Sequence, residues 1–279
     1  MAVRIVEGHV PPEGRAPSRP GLSAVCVVGL LFFLAPFSLA AGPVAGDGTG
    51  EVGPRELVRR VVENTPDRPF EARMTLSSTR GWERQLELRH KKQGEVFANY
   101  MEVTAPHDVK DTRFLFFERT EGRDEQFIYV PALRRAIRIA DETRKQPFLG
   151  SDFYVSDLVA PDLAEYDYRY VGEETLDGRK LRLVEALPKS LEGQLYGKVV
   201  MAIDPADLVV LRTEFFDLEG KPLKVWRVTK LEKIEGFWTP VEQTMENLKS
   251  GTKSTLVTTD VTYDVDLPDN IFSRSYLSR

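Results

Sequence analysis

The side chains with the most distinctive chemistry are few in this 279-residue sequence. It contains one cysteine, Cys26, and three histidines, His9, His90 and His107. One thiol cannot form an intrachain disulfide or a cysteine-based zinc site, so we predict neither a disulfide framework nor a metal centre. The sequence also has no Gly-rich phosphate loop, no nucleophile elbow and no H-E-x-x-H helix, and we predict no cofactor.

Two features formally permit hydrolysis, and neither is convincing. Ser250 and Lys253 match an S-x-x-K pattern, but the S-D-N and K-T-G partners of that motif are missing. A triad through His107 would need a serine that the sequence does not identify, and His90 lies in a charged run where a solvated strand end is expected. We therefore predict a non-enzymatic protein, with a lipid hydrolase as the lesser alternative.

Three arginines lie close together around one predicted turn: Arg134, Arg135 and Arg138. Guanidinium groups recognise phosphates and carboxylates by paired hydrogen bonds, so these arginines could hold a lipid headgroup at the mouth of a cavity. Alternatively they pair with Asp152, Asp157 or Glu118 and fix the hairpin to the following segment, which is the interpretation we favour.

The net charge of −5 is spread along the chain, whereas nucleic-acid binding needs a concentrated basic surface. The hydrophobic fraction of 42% and charged fraction of 29% are ordinary for a folded protein. We therefore expect a globular monomer that does not bind nucleic acid.

The N-terminus has the parts of a secretory signal peptide. Arginines precede an apolar core at 24–37, and the small residues Ser38 and Ala40 suggest cleavage after Ala40. The alternative is an uncleaved membrane anchor. We favour the cleaved signal because the apolar core is shorter than a typical membrane span and contains Pro36. Cys26 follows Val25 inside the apolar run, which argues against acylation there. We predict a signal peptide at 1–40, a Gly-rich flexible linker at 41–53 and a single domain at 54–279.

The domain is predicted to be mainly β, with one amphipathic helix at 54–65. After Pro69 the apolar residues alternate with polar ones, which is typical of half-buried strands. Turn residues separate about ten to twelve strands, so we expect an antiparallel meander forming a sandwich or a wide soluble barrel. The candidate strands are 70–76, 82–88, 95–103, 112–119, 124–130, 135–140, 164–171, 179–186, 197–204, 208–216, 222–234, 237–247 and 254–264.

A barrel this wide leaves an interior cavity unless something fills it. We predict an apolar lining formed by Phe97, Met101, Phe114, Phe116, Phe215, Val225 and Trp238. Ser151 or Asp152 could cap a short helix. Alternatively, the aromatic residues of this region form a flap over the cavity: Phe148, Phe153 and Tyr154.

Two segments carry a resemblance to a known family. The run Y-V-P-A-L-R-R-A-I-R-I at 129–139 is followed by G-S-D-F at 150–153. Over roughly residues 70–275 the chain resembles the LolA-like outer-membrane lipoprotein-sorting family. That resemblance implies an open, strongly curved antiparallel half-barrel, a few helices as lid or plug, and a hydrophobic cavity that takes acyl chains.

The functional prediction is therefore a periplasmic carrier that binds the acyl chains of lipids or lipoproteins, with an inner-membrane transporter as a possible partner. The alternative is an envelope protein-interaction or sensor module of the same fold, associated with a membrane transporter. In that case Arg134, Arg135, Arg138 and the sheet edges would contact the partner.

Overall fold

The computed structural model describes residues 52–64, 66–119, 124–159 and 162–279, with the side chains of Asp141 and Glu142 excepted. The predicted signal peptide at 1–40, Cys26 and nearly all of the predicted linker at 41–53 lie outside these residues. Those assignments therefore stay predictions.

Helix α1 spans Pro54–Glu63, two residues shorter than expected. Pro54 suits the first turn because its missing N–H would have no partner there. Leu57, Val58 and Val61 are buried along one face of the helix. Two short helices follow, α2 at Asp141–Arg144 and α3 at Arg274–Leu277. None of the helices in the described part of the chain is long and apolar enough to cross a membrane.

All thirteen candidate stretches form strands. The expected total of about ten to twelve strands was therefore one too low at its upper limit. The strands are β1 Phe70–Ser78, β2 Trp82–Gln93, β3 Val96–Ala105, β4 Arg113–Arg119, β5 Glu125–Val130, β6 Arg135–Arg138, β7 Tyr166–Leu176, β8 Arg179–Pro188, β9 Lys198–Asp204, β10 Val209–Phe216, β11 Pro222–Ile234, β12 Phe237–Asn247 and β13 Thr252–Tyr263. The prediction of a mainly β protein is confirmed.

The strands form one antiparallel sheet in the order β6-β5-β4-β3-β2-β1-β13-β12-β11-β10-β9-β8-β7. Two meanders, β1–β6 and β7–β13, are joined where β1 pairs with β13, from Phe70 opposite Tyr263 to Ser78 opposite Ser254. The edge strands β6 and β7 do not pair with each other, so the strongly curved sheet stays open. The expected open half-barrel is confirmed.

The main core lies on the concave face of the sheet. One apolar cluster receives side chains from β1–β4, from β7–β13, from α1 and from residues 139–163. Only the inside of a curved sheet brings so many strands to one cluster. The convex face carries two smaller clusters. In one of them the C-terminal residues Leu267, Ile271, Phe272 and Leu277 pack on β3–β5.

His90 departs from its expected place at a solvated strand end. It is fully buried on the concave face, stacked against Phe70 with ring centroids 4.7 Å apart. Its Nδ1 lies 2.8 Å from Asn99 Oδ1 and its Nε2 lies 3.1 Å from the carbonyl oxygen of Pro66. Burial lowers the pKa of His90 to about 4, although the two oxygen contacts oppose this shift.

This burial predicts a specific acid sensitivity. The unfolded chain binds a proton at His90 near pH 6.5 while the folded chain does so near pH 4, so stability is lost as the pH falls through this window. The loss should total roughly 3 kcal/mol of unfolding free energy. Urea unfolding of His90→Gln between pH 7 and pH 4 should show a shallower pH dependence than the wild type.

His107 provides the control, because it lies in an exposed turn. His107→Gln should keep the wild-type pH dependence. An unchanged slope in His90→Gln would contradict the assignment.

Candidate functional site

The connection between β6 and β7 is the most distinctive part of the concave face. These strands are the two opposite edges of the sheet, so residues 139–165 must pass from one edge to the other. We call these residues the crossing segment. It contributes Ile139, Phe148, Phe153, Val155, Leu158 and Leu163 to the main core cluster. The described part of the segment therefore covers the apolar face that a ligand would need.

The G-S-D-F motif forms a tight turn in this segment. Gly150 has a φ of 79°, a left-handed conformation that a residue with a Cβ adopts at a cost. The Ser151 hydroxyl donates to the carbonyl of Phe148 at 2.7 Å and accepts from the N–H of Phe153 at 3.2 Å. The turn thereby directs Phe153 into the core, where it is fully buried.

Asp152 anchors the turn to the sheet. Its buried carboxylate accepts hydrogen bonds from the hydroxyls of Thr252 at 2.6 Å and Ser254 at 2.7 Å, both on β13. Arg80, in the β1–β2 turn, donates to the same carboxylate at 2.9 Å. The Asp152 N–H in turn donates to the Ser254 hydroxyl at 2.9 Å. One carboxylate thus ties the crossing segment to the junction of the two meanders.

Asp157 provides a second anchor, to the other meander. It forms an ion pair with Lys224 of β11, and both side chains are only 1% exposed. The hydroxyl of Tyr196 donates to Asp157 Oδ1 at 2.7 Å, and the N–H of Tyr154 donates to Oδ2 at 2.7 Å. Lys224 Nζ also lies 3.8 Å from the centroid of the Tyr154 ring, within cation–π range. Both charges of this buried pair therefore have several compensating contacts.

The predicted cavity lining divides between the two faces of the sheet. Met101, Phe114, Phe116 and Phe215 belong to the concave cluster. The side chain of Phe97 stacks on His90 on the same face, with centroids 5.8 Å apart.

Two assignments to this lining are wrong. Trp238 packs in a convex cluster with Leu181 and Leu211. Val225 also faces the convex side, because its neighbours Lys224 and Trp226 point into the core. Strand alternation therefore predicts these strands but does not define which of their two faces is concave.

The predicted flap residues lie within the crossing segment. Phe148 and Phe153 are buried, and Phe148 packs 5.0 Å from Phe114 between ring centroids. Tyr154 is half-buried beside Lys224. The alternative of a helix cap at Ser151 or Asp152 is wrong, because their side chains bind the turn and β13.

The three arginines do not form one cluster on the sheet. All three side chains are exposed. Arg138 of β6 lies opposite Phe127 of β5 in the strand register, and Phe127 belongs to a convex cluster, so Arg138 faces the convex side. Arg135, three positions earlier on β6, therefore faces the concave side. The favoured pairing with Asp152 or Asp157 is wrong, because Arg80 and Lys224 hold those carboxylates.

Lys224 is the functional candidate that the sequence analysis missed. Its signal was available, because Lys224 alternates in phase with Trp226 on β11 and so must share the apolar face. A cation on such a face requires a buried acidic partner. Which acid this is depends on the path of the crossing segment, which strand periodicity does not define.

The second anchor yields a stability prediction. Asp157→Asn leaves Lys224 buried without its counter-ion, and breaking a buried pair in this way costs about 3–5 kcal/mol. We expect a loss of that size in the free energy of unfolding, measured with urea. Adding Lys224→Met to the variant should recover part of the loss.

The matched control is Glu232→Gln, which removes the acid from the exposed Lys230–Glu232 pair. Its expected effect is below about 1 kcal/mol. An equally small effect of Asp157→Asn would refute the anchoring role.

Comparison with solved structures places this architecture among known proteins. A domain assigned to outer membrane lipoprotein sorting from Vibrio parahaemolyticus is 25% identical, with a TM-score of 0.74 over 81% of this chain and 98% of that one. A DUF1329 family protein from Desulfovibrio piger is 26% identical, with a TM-score of 0.73 over 80% and 97%. A LolA superfamily protein from Nitrosomonas europaea, 20% identical, has a TM-score of 0.62 over 81% and 100%.

Comparisons of sequence give a family but no individual relative. No curated protein matches the chain significantly. A family model described as "uncharacterized protein" matches residues 98–279, which is more than half of the chain. The chain therefore belongs to that family, and its fold is LolA-like.

Proposed function

We propose that this protein is an exported periplasmic carrier that binds acyl chains of lipids or lipoproteins on the concave face of the sheet. The observation that carries the proposal is the crossing segment. It packs Phe148, Phe153 and Leu158 against an apolar face that the open sheet would otherwise expose. An acyl chain could take the place of these side chains.

The energetics of such an exchange are favourable in principle. Burying a methylene contributes about 0.8 kcal/mol, so a long acyl chain can replace the apolar contacts of three or four side chains. The segment has few backbone hydrogen bonds to neighbouring strands, because its described residues form mainly short turns. Its attachment depends on side-chain packing and on the Asp152 and Asp157 anchors. Such an element can leave the sheet without unpairing any strand.

The relatives support a carrier rather than a catalyst. The Vibrio parahaemolyticus domain, with its assignment to outer membrane lipoprotein sorting, aligns over nearly its whole length. The predicted signal peptide at 1–40 would deliver the chain to the periplasm. We further propose that the carrier is a monomer and that it receives or delivers its cargo at an inner-membrane transporter.

A second candidate function is the envelope interaction module. The observation that favours it is edge strand β6, where Arg134 and Arg135 are exposed beside Leu133, a large apolar side chain that is 47% exposed. An open strand edge with an apolar and cationic rim can pair with an extended acidic segment of a partner.

The carrier proposal is tested by titrating delipidated protein with a fluorescent fatty acid and with a fluorescent phospholipid. Saturable binding is expected for at least one probe. Asp152→Asn weakens the first anchor and should raise the association rate roughly tenfold, because a charge-assisted hydrogen bond contributes about 1.5–3 kcal/mol. Lipid mass spectrometry after gentle purification should then identify the natural cargo.

Lys230→Met, an exposed change on β11, is the control and should leave the association rate unchanged. If neither the wild type nor Asp152→Asn binds any acyl probe, the carrier proposal fails.

The interaction module predicts a different result. Arg134→Glu with Arg135→Glu should abolish co-purification of a membrane protein from the native host, while acyl binding stays unchanged. Retention of the same partner by this variant would exclude the β6 edge.

A further inference from the structure

A groove of about 420 Å³ lies on the convex face, opposite the proposed carrier site. It is lined by Gln93, Val96, Phe117, Arg119, Glu125, Phe127 and Arg274. The strands β3–β5 form its floor, and helix α3 forms one side. A volume of this size falls within the range of about 300–1,000 Å³ that is typical of small-molecule sites.

The floor of the groove is apolar. Phe117 and Phe127 meet edge to face, with ring centroids 6.4 Å apart. Phe127 is a buried member of the cluster that contains the C-terminal residues, and Phe117 is partly buried against that cluster. Val96 begins β3 and extends this apolar strip along the floor. Contiguous apolar side chains in a concave site favour an aliphatic or aromatic portion of a ligand.

The rim of the groove is cationic. The guanidinium group of Arg274 lies 4.9 Å from the centroid of Phe127, and it forms no ion pair with any described residue. The Nη2 atom of Arg119 lies 4.0 Å from Oε1 of Glu125, which is a long distance for an ion pair. The Nη1 atom of Arg119 is buried and has no hydrogen-bond partner among the described residues. A buried guanidinium N–H of this kind is costly unless an acceptor binds it.

Arg138 adds a third cation to this side of the sheet. It pairs with Phe127 across β5 and β6, so its side chain lies on the convex face beside the floor of the groove. Glu125 is the one carboxylate among the described residues that line the groove, and Asp269 approaches its edge by accepting a hydrogen bond from the side chain of Gln93. Among the described residues, three arginines against Glu125 and Asp269 leave a positive excess at the rim.

We propose that this groove binds a single-chain amphiphile with an anionic headgroup. The chain lies along Phe117, Phe127 and Val96. The carboxylate or phosphate receives hydrogen bonds from Arg119 and Arg274, which satisfies the buried Nη1 atom. This site does not depend on the carrier proposal, because it occupies the other face of the sheet and needs no movement of the crossing segment.

The test is calorimetric titration of the delipidated full-length protein with decyl phosphate and decanoate, which separate a phosphate from a carboxylate preference. Decyltrimethylammonium carries the same chain with the opposite charge and should bind at least tenfold more weakly. Affinity should rise about fourfold for each added methylene from octyl to decyl phosphate, since each buried methylene contributes a constant increment.

Two variants localise the binding. Arg274→Gln alters an exposed side chain and should lower the affinity for decyl phosphate about threefold. The double variant Arg274→Gln with Arg119→Gln should lower this affinity about tenfold or more. Val96→Trp should block the chain without changing headgroup chemistry, and its thermal unfolding will show whether the fold is intact. Arg134→Gln is the matched arginine control and should bind like the wild type.

The outcomes separate this inference from the carrier proposal. The assignment of the binding site to the groove is refuted if decyl phosphate binding is unaffected by Arg274→Gln with Arg119→Gln and by Val96→Trp. Equal affinity for decyltrimethylammonium would refute it as well. If Asp152→Asn changes the association rate and the groove variants change nothing, the proposed groove site is refuted while the carrier proposal stands. Binding that responds only to the groove variants would give the opposite result.

Discussion

The position of the two edge strands constrains the rest of this structure. Because β6 and β7 lie at opposite ends of a thirteen-stranded open sheet, the chain between them has to cross the whole sheet. It crosses on the concave side, where the strands direct their largest apolar side chains. A single connection therefore completes the core that a closed barrel would complete by pairing its edges. The fold obtains its interior without closing its sheet.

This arrangement explains why two acidic residues are buried in an otherwise apolar region. Apolar packing holds the crossing segment on the sheet but does not define its position along it, because hydrophobic contact is non-directional. Hydrogen bonds are directional, and Asp152 and Asp157 each accept three or more of them from fixed donors. One carboxylate binds at the junction of the meanders and the other binds β11. Together they specify one placement of the segment, at the cost of removing two charged groups from water.

Much of the fold could be predicted from the sequence, because strands and turns leave local patterns. Alternation and turn residues located every strand, and Pro54 located the start of α1. The phase of alternation was harder to assign. At Val225 and Trp238 both faces of the strand carry bulky residues, so nothing local distinguishes the concave side from the convex side. Contacts between distant segments were least accessible. The burial of His90 requires Asn99 and Pro66, and Asp157 meets Lys224 only because of the path that the crossing segment takes.

The pairing of β1 with β13 has a consequence for how the polypeptide acquires its structure. The two meanders contain local hairpins that can form as soon as their residues are available, but the seam between them joins Phe70 to Tyr263. Contacts so distant in sequence carry a large loop-closure entropy and slow the folding of β proteins. Until the last strand is present, β1 has one free edge and the apolar side of the first meander has no second half to pack against. A growing chain would therefore hold this surface open until β13, at Thr252–Tyr263, has been synthesised.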